Sequence, residues 1–74
     1  MNKMINDIMN EQLYRCWIEL YLVSGVRVNV NCCECFFAFD PETLELEIHK
    51  EKDRKYLDNP ILSIKQEDII SWGE

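Results

Sequence analysis

The hydrophobic period of this chain changes once, at Tyr14, and that change divides it in two. Before it, Met1, Met4, Ile5, Ile8, Met9 and Leu13 recur at helical spacing and form one apolar stripe. After it, apolar and polar residues alternate with period two, the signature of half-buried strands. The 74 residues leave room for a single domain over 1–74, an N-terminal helix over 1–13 and a β-rich body over 14–74. Asn2 or Asn6 can cap the helix. A helix this short is marginal alone in water, so its Met-rich stripe must cover the end of a sheet or dock into another chain.

Within the body, Cys16, Ile18, Leu20 and Leu22 share one face of a first strand, and Trp17, Glu19 and Tyr21 share the other. Ser24-Gly25 makes a tight turn, with Gly25 free to take positive φ. Val26, Val28 and Val30 then alternate with Arg27, Asn29 and Asn31. Apolar parity next shifts from even to odd, at Cys33, Cys35, Phe37 and Phe39, which predicts a β-bulge or sharp bend near Cys32-Cys33 in one long second strand. Asp40 to Thr43 is a turn around Pro41. Leu44, Leu46 and Ile48 alternate with Glu45, Glu47 and His49 in a third strand, which leaves His49 an exposed residue beside the charged loop Lys50 to Lys55. Asp58-Asn59-Pro60 ends the irregular stretch. Ile61 to Ile64 is a short fourth strand, Lys65 to Asp68 a connector, and Ile69 to Trp72 the last strand. The fold class expected is α+β, mostly β: a helix, then a strongly bent five-stranded antiparallel sheet or small barrel.

This order of elements resembles the small five-stranded barrels of the Sm-like and SH3-like type, over nearly the whole chain. Phe39-Asp40 through Thr43 stands where the Sm family carries its first motif but lacks its Asn, and Ile64 through Ile70 lacks the basic-glycine signature of the second. The resemblance therefore implies a barrel-like fold and not Sm-type RNA binding.

Few residues invite catalysis. Cys16, Cys32, Cys33 and Cys35 match no paired zinc-knuckle spacing, so small core thiols are expected, with no metal and no cofactor. His49 is the only histidine, and no second group is placed to orient a Cys–His pair. Glu45 and Glu47 alternate with apolar residues, as the wet side of an amphipathic strand does, rather than forming a carboxylate dyad in contrasting environments. Two glycines cannot build a phosphate-cradling loop. The expectation is a protein that is not an enzyme.

Charge is more informative. The net charge of −6 opposes direct nucleic-acid binding and suits a partner with a basic face, or serves solubility alone. Between Val28 and Ile48 every charged side chain is acidic: Glu34, Asp40, Glu42, Glu45 and Glu47. Such a face imitates a phosphate backbone and can occupy a basic nucleic-acid channel. Trp17 and Tyr21 supply aromatic anchors, unless the helix buries them. The leading reading is a binding protein that engages a larger protein, with Trp17, Tyr21, Glu34, Glu42, Glu45 and Glu47 as its contact. In general style it is similar to small inhibitors encoded by phages and mobile elements, anti-CRISPR and other counter-defence proteins among them. The alternative is a homo-oligomer that takes a nucleotide-like ligand at subunit junctions through Lys50, Lys52, Arg54 and Lys55. The N-terminus lacks a leader-like apolar run and no segment is long enough to span a membrane, so reduced thiols in the cytoplasm are expected.

Overall fold

A computed structural model describes residues 1–55 and 59–74. Helix α1 spans Lys3–Glu11, and strands follow at Trp17–Leu22 (β1), Arg27–Asn31 (β2), Cys35–Asp40 (β3), Glu45–Lys50 (β4), Leu62–Lys65 (β5) and Ile69–Gly73 (β6). They form two three-stranded antiparallel sheets, ordered β2-β1-β6 and β3-β4-β5. Helix, alternating strands and mostly-β content agree with the sequence reading. The five-stranded sheet and the closed barrel do not: the described residues hold six strands in two sheets. The helix is also shorter than 1–13, with Leu13 and Tyr14 exposed in the turn that follows.

The missing strand boundary lies where a bulge was expected. Cys32 to Glu34 form a turn that separates β2 from β3. Its cause is Asn31, whose side-chain Oδ1 accepts from Cys33 N–H at 2.9 Å, while Asn31 C=O accepts from Glu34 N–H at 3.2 Å. An Asx turn of this kind offers the backbone an alternative to the ladder, and the chain crosses to the other sheet. Leu44 is likewise not in a strand. It occupies the turn after β3 with φ 59°, its N–H donating to Asp40 C=O at 2.8 Å. Gly25 takes φ 90° in the β1–β2 turn, as its lack of a Cβ allows.

Ile18 and Leu20 of β1, Val30 of β2, Phe37 of β3, Leu46 and Ile48 of β4, Ile64 of β5 and Ile69 of β6 fill the space between the sheets. Two corners are closed by the chain itself, at Cys32 to Glu34 and at the single helical turn Gln66–Asp68 between β5 and β6. A third opening, between β3 and β6, is covered by α1. Asn2 caps this helix by accepting from Ile5 N–H at 2.8 Å, and Ile5 and Ile8 are driven into the core with no exposed surface. The residue after the helix finishes the cover. Gln12 Nε2 donates to Phe37 C=O at 3.2 Å, and Phe37 N–H donates to Gln12 Oε1 at 2.7 Å, so one side-chain amide stands in for a neighbouring strand on β3's free edge. Among the described residues, no helix is long and apolar enough to cross a membrane. The expected break at Asp58-Asn59-Pro60 falls partly outside the described residues, at Asp58.

Candidate functional site

The remaining opening, between β2 and β5, has no secondary-structure element of the described residues lying over it. It holds a groove in two lobes of about 640 Å³ and 350 Å³, and Val28 and Leu62 line both. Its walls include Trp17, Val26, Ile61 and Leu62, which are 49%, 53%, 53% and 41% exposed. Four consecutive β2 residues, Val28 to Asn31, line the smaller lobe. Successive side chains point to opposite faces, so a continuous run can line it only if the edge of the strand faces the opening.

The ladder fixes what that edge presents. Leu22 N–H donates to Val26 C=O at 3.0 Å and Cys32 N–H to Cys16 C=O at 2.8 Å. In the β1–β2 register these bonds turn the backbone groups of Val28 and Val30 toward β1 and those of Arg27 and Asn29 outward. No hydrogen bond among the described residues engages the backbone of Arg27 or Asn29 on that side. Glu34 stands at one end of the groove, and Glu45, Glu67 and Asp68 line the larger lobe beside Lys65.

The structure brings three of the expected contact residues, Trp17, Glu34 and Glu45, to this groove and leaves the other three elsewhere. Tyr21 lies on the outer face of β1, its hydroxyl donating to Glu19 at 3.1 Å and the Arg27 guanidinium 5.8 Å from its ring centre. Glu42 is exposed in the β3–β4 turn. Glu47 is on the outer face of β4, where it holds His49. The six therefore do not form one face: Trp17 and Tyr21 belong to one sheet, Glu45 and Glu47 to the other. Val28, Ile61, Leu62, Glu67 and Asp68 were missed. The adjacent apolar pair Ile61-Leu62 was their one sequence signal, since neighbours in a strand cannot both face a core.

His49 is the clearest departure from expectation. It is 1% exposed rather than solvated, stacked on Phe36 at 5.2 Å between ring centres, with Nε2 3.0 Å from Glu47 Oε1. Nδ1 has no partner among the described residues. The charged loop packs in turn on Phe36: Arg54 lies 4.2 Å from the centre of the Phe36 ring, held by two 2.7 Å bonds to Glu51, and those bonds keep the Glu51 carboxyl below its usual range. Arg54 is thus engaged, and Lys55 is exposed. The depression that Lys50 and Lys52 line also carries Glu34 and Glu51, so a phosphate there would meet as many carboxylates as ammoniums.

The four cysteines are free thiols, and among the described residues no three His, Cys, Asp or Glu side chains converge as a metal set would. Burial pushes the Cys32 thiol up, with further lifting from Cys33, Cys35 and Cys16. Cys16 and Cys33 are exposed. Timed alkylation with iodoacetamide near pH 8, read by peptide mass spectrometry, should modify Cys16 and Cys33 before Cys32, because the thiolate is the reacting form. Equal rates would contradict the placement of Cys32 against the core. Comparison with protein-family models, curated proteins and solved structures gives no match for this chain, so the reading of the groove rests on its own geometry.

Proposed function

We propose that this chain is a non-enzymatic binding protein that engages a larger protein through the acid-rimmed β2/β5 groove. One observation carries the reading: Trp17, Glu34 and Glu45, from three separate strands and turns, converge with Leu62 on an opening over which no element of the described residues lies. Exposed apolar wall and charged rim are the anatomy of a protein contact, and the acids select a basic partner. A small acidic protein of this design suits the inhibitor role, occupying a basic surface that would otherwise hold nucleic acid.

Reversing charge at the two ends of the groove tests it. Glu34 and Glu67 are exposed, so Glu34→Lys/Glu67→Lys should move stability by no more than about 0.5 kcal/mol per site. Proteins from a bacterial lysate retained on the immobilised chain and released by salt should be lost from the double variant. An unchanged set, with an unchanged melting temperature, would sink the acidic-groove reading.

A further inference from the structure

The groove's exposed strand edge narrows the kind of partner. A folded convex surface has no use for the outward N–H and C=O of Arg27 and Asn29, whereas an extended segment pairs with both. The free edge of β3 is covered: there the Gln12 amide satisfies Phe37. On β2 no such clasp is found among the described residues, and the edge runs along an apolar trough with acids at its ends.

We propose that the groove takes an extended, basic segment of the partner, added antiparallel to β2 as a fourth strand of its sheet. This rests on the proposed binding function and specifies its ligand. Antiparallel pairing sets the pattern. The ligand residue opposite Asn29 exchanges both backbone bonds with it and points to the outer face. Its two neighbours, opposite Val28 and Val30, point into the groove against Leu62 and must be apolar. A Lys or Arg opposite Asn31 stands near Glu34, and one opposite Val26 enters the lobe lined by Glu45, Glu67 and Asp68. The ligand is a β-branched hexapeptide with a cation at each end.

The probe is the blocked peptide Lys-Val-Thr-Val-Thr-Lys, titrated into the isotopically labelled full chain and followed by amide NMR. Shifts and slowed exchange are expected at Arg27 and Asn29, with smaller shifts at Leu62 and Ser63. N-methylation of the first Thr, which faces Asn29, should abolish binding; N-methylation of the second Val, whose N–H points away, should leave it. Replacing both Lys by Glu should weaken binding about tenfold or more at low salt. The variant Asn29→Pro removes the outward donor without costing a β1 bond, a substitution edge strands accept, and should bind weakly while keeping the other amides in place. Equal binding by the two N-methylated peptides, or no response at Arg27 and Asn29, overturns the proposal. So does concentration-dependent broadening of those amides that peptide cannot compete away, which would give the edge to a second copy of this chain. If the peptide fails while the charge-reversed variant still loses its lysate partner, the binding function stands and the added strand falls.

Discussion

Ile8→Ala should cost about 2–4 kcal/mol, roughly the 2–5 expected for truncating a buried isoleucine less a few tenths that alanine returns as a better helix former. Ile8 has no exposed surface and packs with Ile5 into the core cluster that joins both sheets. Nothing in α1 itself would compensate. The helix is 9 residues long, too short to persist on propensity, with no acid in its first turn and no base in its last. A domain of this length holds about 4–11 kcal/mol of stability, at 0.05–0.15 per residue, so the variant forfeits a large fraction. Its melting temperature should fall by roughly 10–30 °C, at about 4–8 °C per kcal/mol for domains of this size. Asn10→Ala, on the exposed side of the same helix, should leave the melting curve almost unmoved. Thermal denaturation followed by circular dichroism decides it: a shift of only a degree or two for Ile8→Ala would mean the helix is an accessory and not the cover of the β3/β6 opening.

How much of this was legible beforehand follows from the range of the interactions involved. Alternation is local, so Ile18/Leu20 facing in and Trp17/Glu19/Tyr21 facing out could be read directly. Parity alone could not separate a bulge from a turn at Cys32, because both insert residues into the pattern; the deciding group was the Asn31 side chain. His49 shares its parity with Glu45 and Glu47 and so reads as wet. What shields it is the cross-strand ring of Phe36, stacked on it and itself covered by Arg54, which periodicity along β4 cannot reveal. The acidic residues form a run in the sequence, yet a run spread over two turns and two strands is dealt to different sides of the molecule. The groove was the least legible feature. It exists because the chain closes two corners, lays its helix over a third opening and, among the described residues, places no element over the fourth, a property of the whole topology.

Gln12→Met is the second large effect. Methionine matches glutamine in length and fills the same space, but leaves Phe37 N–H and C=O without partners at a part-buried edge. Each such group costs about 1–3 kcal/mol when stranded, so the variant should lose roughly 2–6 kcal/mol. Gln12→Glu keeps an acceptor for Phe37 N–H and loses the donor to Phe37 C=O, and should fall between the two. A merely space-filling Gln12 would make Met the milder change, and that order in urea denaturation would refute the clasp. The clasp also has a consequence that stability does not measure. The backbone groups of Phe37 point away from β4, and once uncovered they present a further free strand edge. Gln12→Met should therefore self-associate at concentrations where the parent chain does not, visible as a concentration-dependent sedimentation coefficient. The parent's β2 edge is flanked by Glu34, Glu45, Glu67 and Asp68, whose charge should hold off another net-negative copy, while the β3 edge carries the Gln12 clasp.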